Sequence, residues 1–139
     1  MTDEQELGAL VERAYAALAF EPGEQPDWEQ FNAVFHPAAV LALRIFPQDR
    51  EVSVLDLAAY AEAQMRNGLR EEGYSEAPGS RSVEITGDVA LVRQEFTMNF
   101  TNSSATEAID VFSCARVGSA WSIISVLSDM QPKSRPRRP

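Results

Sequence analysis

From Val89 to Phe100 the chain sets Ala90, Val92, Gln94, Phe96, Met98 and Phe100 on one parity, while the other parity turns polar from Arg93 onward. Successive side chains of a β-strand point to opposite faces, so this stretch reads as one long strand with a single face committed to a core. The segments around it have the same character. Residues 82–86 precede it across Gly87-Asp88, residues 106–117 follow across Thr101-Asn102-Ser103-Ser104, and residues 121–129 follow across Gly118-Ser119. Turn-forming residues between such segments predict hairpins. A meander with one apolar face must cover that face with a second layer.

The first half supplies that layer as helices. Thr2 and Gln5 have the spacing of a capping box, and Leu7, Leu10, Val11, Ala14, Tyr15 and Leu18 follow at three- and four-residue steps. Glu21-Pro22-Gly23-Glu24-Gln25-Pro26 stops this helix. Asp27 with Gln30 opens a second, whose apolar face is Trp28, Phe31, Val34 and Phe35 and which Pro37 closes. Residues 40–46 read as a short buried strand. Ser53 with Asp56 then starts a third helix carrying Leu57, Ala58, Ala61, Met65 and Leu69, and a loop through Pro78-Gly79 returns the chain. Helices grouped ahead of antiparallel strands predict an α+β fold, with the helices on one face of a curved sheet.

Composition narrows the function classes. At 139 residues and 45% apolar the chain suits a single domain, which we assign to residues 1–130. It carries 12 Lys and Arg against 21 Asp and Glu, a formal net charge of −9. Lys133, Arg135, Arg137 and Arg138 crowd into the end, interrupted by prolines, so 131–139 is expected to be a disordered basic tail on an acidic body. That body opposes polyanions, and neither nucleic acid nor membrane is an expected partner. The acidic opening lacks an apolar signal segment, so a cytoplasmic protein is expected, with the sequons at Asn99 and Asn102 unmodified. One cysteine, Cys114, and one histidine, His36, give neither a disulfide nor a metal set, and no Gly-rich phosphate loop occurs. No cofactor is expected.

Four motifs, in order, are Asp27-Trp28-Glu29-Gln30-Phe31-Asn32-Ala33-Val34-Phe35-His36-Pro37-Ala38-Ala39, Gly73-Tyr74-Ser75-Glu76, Gly87-Asp88-Val89-Ala90-Leu91-Val92 and Gly118-Ser119-Ala120-Trp121-Ser122-Ile123-Ile124. Their order and spacing resemble the nuclear-transport-factor-2-like (NTF2-like) superfamily, in particular its SnoaL-like or ketosteroid-isomerase-like bacterial branch. The resemblance spans about residues 5–129. It implies a cone: three helices wrapped by a strongly curved, mostly antiparallel sheet, open at one end onto an apolar pocket and often paired through the sheet as a homodimer. Isomerases, cyclases, dehydratases, epoxide hydrolases and non-catalytic assembly factors share this architecture, so the fold alone does not name the reaction.

Asp110 is the candidate base. It shares a strand face with Ala108, Phe112 and Cys114, and a carboxylate among apolar neighbours has its pKa driven toward neutrality. The competing reading pairs it with Arg93 or Arg116, or exposes it. Gln94, on the apolar parity of the long strand, is a ligand hydrogen-bonding or structural residue. An epoxide-hydrolase set would need Arg93 beside Asp110 and Asp129, but Arg93 has the wrong parity. His36 and Asp129 read as helix-end packing and strand fraying, and Cys114 as a small buried hydrophobe. The expected cavity wall comprises Tyr15, Trp28, Phe46, Tyr60 and Met65 from the first half, with Phe96, Met98, Phe112 and Trp121 from the strands. Two functions stand: a cavity binding a small apolar or polycyclic ligand, with cofactor-free isomerase- or cyclase-type proton transfer, and a non-catalytic ligand-binding or dimerisation module.

Overall fold

The computed structural model describes residues 1–131 apart from Asn67. Helix α1, Asp3–Leu18, opens on the predicted capping box: Thr2 Oγ1 accepts from the Gln5 N–H at 3.1 Å, and Gln5 Oε1 accepts from the Thr2 N–H at 2.9 Å. Its apolar stripe, from Leu7 to Leu18, is buried. Helix α2, Trp28–Ala33, is capped by Asp27 but ends earlier than the apolar pattern implies. Phe35 instead begins strand β1, Phe35–Leu43, because it pairs with Ile123 of the last strand. The ladder is irregular between Phe35 and Val40, so Pro37, which has no N–H to give, sits where no regular rung needs one.

Ser53 is not a helix cap. It starts strand β2, Ser53–Leu55, and Asp56 caps helix α3, Leu57–Gln64, by accepting from the Ala59 N–H at 2.8 Å. A short helix α4, Leu69–Glu72, follows and ends at Gly73. There φ is +80°, and a Cβ would stand 3.0 Å from Pro22 Cδ and 3.2 Å from the Phe20 carbonyl oxygen, so the position is restricted to glycine on both counts.

The expected loop through Pro78-Gly79 is strand. Strand β3, Tyr74–Thr86, pairs with β4, Val89–Phe100, along its length, and the register shifts only between Pro78 and Arg81. Proline and glycine thus mark a bulge rather than a break. Strands β5, Thr106–Val117, and β6, Ala120–Met130, complete a six-stranded sheet in the order β2-β1-β6-β5-β4-β3. Among the described residues only the β1–β6 pair is parallel. The sheet is curved and unclosed, and the helices fill its concave side, where Leu7, Val11, Val92 and Ile123 are sealed from solvent. Among the described residues no helix is long and apolar enough to cross a membrane. The basic tail lies outside the described residues except for Gln131, whose N–H donates to the Glu107 carbonyl at 2.8 Å.

Candidate functional site

The even positions of β5 face the helices, so Ala108, Asp110, Phe112 and Cys114 are all buried. Asp110 is 7% exposed. Burial of a carboxylate requires hydrogen-bond donors, and two reach it. Tyr15, from the last turns of α1, donates its hydroxyl to Asp110 Oδ2 at 2.6 Å. Ser128, its cross-strand partner on β6, adds a second side-chain hydrogen bond. Neither arginine considered from the sequence arrives. Arg93 is exposed on the opposite face, and Arg116 is occupied by Asp3 and Asp88.

A second acid borders the same space. Tyr74 and Glu76 are two residues apart on β3, and the Tyr74 hydroxyl donates to Glu76 Oε2. Burial pushes the Glu76 carboxyl up to about 8, with the nearby Asp110 charge raising it further and the Tyr74 hydrogen bond opposing. Burial likewise pushes Asp110 up to about 6, against the hydrogen bonds from Ser128 and Tyr15. Both carboxyls are thus raised by burial, Glu76 further than Asp110, so Glu76 holds its proton to higher pH. The phenols of Tyr15, Tyr60 and Tyr74 are all raised, chiefly by burial, and stay neutral donors.

Between the helices and the sheet lies a cavity of about 40 Å³. At roughly 10–15 Å³ for each water it has room for about three, so a polycyclic ligand would have to displace lining side chains. Six of the expected residues, Tyr15, Tyr60, Phe96, Met98, Asp110 and Phe112, border it, together with Phe31, Phe35, Leu41 and Val126. Others lie elsewhere. Trp28 packs edge-on against Phe31 and Tyr60, behind the cavity wall. Phe46 sits beneath Arg66 and beside Phe100. Trp121 lies under the Arg116 guanidinium with its indole N–H donating to Asp3. Met65 is the half-buried C-cap of α3.

Gln94 is sealed and belongs to the β3 bulge. Its amide nitrogen points at the carbonyls of Gly79, Ser80 and Glu95 at 2.9–3.1 Å, and its oxygen accepts from Arg81 at 3.2 Å. His36 Nδ1 accepts from the Ala38 N–H at 3.0 Å, a local backbone role. Cys114 is buried, and burial pushes its thiol up to about 12, which keeps it unreactive. Among the described residues no group of three or more His, Cys, Asp or Glu side chains is placed to hold a metal ion.

Four polar residues of the wall were not singled out from the sequence. Glu76 was hidden because its segment reads as a loop; once it is a strand, Tyr74 and Glu76 share a parity. Gln64 lies one helical turn after Tyr60. Arg44 pairs with Asp129 at 2.7 Å, so Asp129 is anchored at the cavity rather than frayed. Ser128 became relevant only through its register with Asp110.

No protein-family model matches the sequence, and no curated protein matches it either. Solved structures do. A protein of unknown function with a cystatin-like fold from Nostoc punctiforme superposes with a TM-score of 0.73 at 16% identity, covering 96% of this chain and 94% of the other. An NTF2-like protein of unknown function from Silicibacter pomeroyi gives a TM-score of 0.66 at 19% identity, covering 94% and 100%. The chain has the NTF2-like fold. A dehydratase candidate of the NTF2-like family from Streptomyces avermitilis superposes with a TM-score of 0.69 at 17% identity, covering 94% and 97%. At these identities the likeness establishes the NTF2-like architecture and no shared reaction.

Proposed function

We propose that the cavity binds a small neutral molecule and moves a proton on it without a cofactor, with Asp110 as the base. The observation that supports this most is a carboxylate buried among aromatic walls, hydrogen-bonded by Tyr15, with no arginine in salt-bridge reach among the described residues. A general base works best when its pKa lies near the ambient pH, and Asp110 is raised toward that range. Glu76 completes the proton balance. A ligand C–H or heteroatom–H bond breaks as an O–H bond forms on Asp110, while the proton of Glu76 passes to another atom of the same ligand. The pair keeps its proton count, the net change is an isomerisation or ring closure, and nothing is oxidised. Solvent deuterium incorporation into a panel of small ketones and enones tests this. Asp110→Asn should abolish incorporation with the circular dichroism spectrum retained, and unchanged rates would remove Asp110 from the mechanism.

A second reading is a non-catalytic ligand-binding or dimerisation module, favoured by the outer face of the sheet. Val40 and Leu91 lie on one cross-strand row, and Val54 and Leu127 on the next, all exposed. We infer that a second copy of the chain covers these rows, in which Ala42 joins Val54 to Leu127 while Ser125 and Ser113 stand between Val40 and Leu91, since exposed apolar side chains gathered on one sheet face mark an interface. Ligand binding without deuterium incorporation would favour this reading over catalysis.

A further inference from the structure

Two polar side chains of the cavity wall have no hydrogen-bond partner among the described residues. Tyr60 and Gln64 are 3% and 2% exposed, border the cavity, and hydrogen-bond to no described residue. No buried side-chain nitrogen or oxygen among the described residues is both sealed and unpaired, so the polar atoms of these two keep some accessible surface, and both residues border the cavity. They stand four residues apart on α3, which puts them on one face of the helix a turn apart. An amide buried without a partner costs stability, so its place in this wall calls for something that satisfies it.

We propose that Gln64 and Tyr60 form a recognition edge for the carboxamide or lactam group of a neutral ligand. A glutamine amide presents one donor and one acceptor side by side, and its natural complement presents one acceptor and one donor. A ketone satisfies only Nε2 and strands Oε1. A carboxamide engages both, its N–H donating to Oε1 and its carbonyl accepting from Nε2, and the second lone pair of that carbonyl is free for the Tyr60 hydroxyl. Charge selects in the same direction. The raised Tyr60 phenol stays protonated, and Arg44 is held by Asp129, so nothing in the wall favours an anionic head group. The size of the cavity limits the group that enters to a few heavy atoms. This inference rests on the cavity being a binding site, but not on Asp110 being a base.

The test uses acetamide and acetone, nearly isosteric and differing in the N–H, titrated into the full chain by NMR. Acetamide should bind about tenfold more tightly, equivalent to about 1.4 kcal/mol. Gln64→Met should erase the difference, and Tyr60→Phe should weaken both ligands while leaving it in place. Because Gln64 makes no internal hydrogen bond, Gln64→Met should also raise Tm; a fall in Tm would assign Gln64 a structural role and overturn the proposal. Equal affinity of the wild type for the two probes, or binding of neither, overturns it without any variant. Asp110→Asn should keep the acetamide preference whether or not it loses deuterium incorporation, which separates this inference from the assignment of the base.

Discussion

The hydroxyl of Tyr15 donates to Oδ2 of Asp110 at 2.6 Å, tying α1 to β5 across 95 residues of chain. This bond does two jobs. It compensates a carboxylate removed from water, and it opposes the upward push of burial on the Asp110 titration. Tyr15→Phe keeps the ring packing against Phe96 and Phe112 and removes only the donor. The expected result is a higher Asp110 pKa, read from carboxyl carbon shifts in an NMR titration, with a stability loss of about 1.5 kcal/mol in urea melts. An unmoved titration would show that the hydroxyl does not tune Asp110.

The two raised acids dictate how stability changes with pH. Folded-state pKa values of about 6 for Asp110 and about 8 for Glu76 exceed the ordinary 3.8 and 4.5, so the folded chain holds these protons more tightly than the unfolded chain. Their contribution is fully present below the unfolded values and is lost as pH rises through the folded ones. Thermal melts should therefore show Tm falling between roughly pH 4 and pH 8, the whole effect being on the order of several kcal/mol. Glu76→Gln should flatten the upper part of that fall. Asp3, held low by its hydrogen bonds from Arg116 and Trp121, acts in the opposite sense and only in more acidic solution. A Tm that rises steadily over the same range would contradict the burial of the pair.

Gln94 should be a stability residue. Its amide nitrogen faces three carbonyls around the β3 bulge, and Leu fills the same space without serving any of them. Gln94→Leu should cost about 2–4 kcal/mol, since each buried acceptor left bare costs about 1–3 kcal/mol. Affinity for a cavity ligand should change little, because Gln94 does not border the cavity. Loss of affinity with stability unchanged would reverse that assignment.

The outer sheet face predicts assembly. Leu127 is 56% and Leu91 49% exposed. Light scattering at micromolar concentration should give twice the chain mass of 15.4 kDa for the wild type, and the chain mass for the Leu91→Lys, Leu127→Lys double variant. A wild-type monomer under these conditions would remove the second copy from the description.

Much of the fold was legible from residue spacing. The parity of 89–100 marked a strand with one buried face, and the caps at Thr2 and Asp27 acted where their side chains predicted, whereas the third helix is capped by Asp56 and not by Ser53. The boundaries that shifted are those where a distant partner competes with a local preference. Phe35 continues an apolar helical stripe, yet it joins β1 because Ile123 offers a ladder position. Residues 74–79 contain Ser, Pro and Gly, yet 74–78 pair with β4 and the register shifts only after Pro78, where a bulge takes up Gly79.

The site divides in the same way. That Asp110 shares a face with Ala108, Phe112 and Cys114 follows from a period of two, a property of the strand itself. That Glu76 borders the same cavity, that Tyr15 rather than an arginine reaches Asp110, and that Gln64 has no hydrogen-bond partner among the described residues depend on segments far apart in the chain. Sequence by itself determined which residues of α1 and of the long strands point inward, because periodicity and capping act within a few residues, whereas on α3 the buried side chains are Tyr60 and Gln64 and not the expected Leu57, Ala58, Ala61 and Met65. Only the tertiary structure decided which polar groups meet inside and how they titrate, because burial and neighbouring charge are properties of the assembled core.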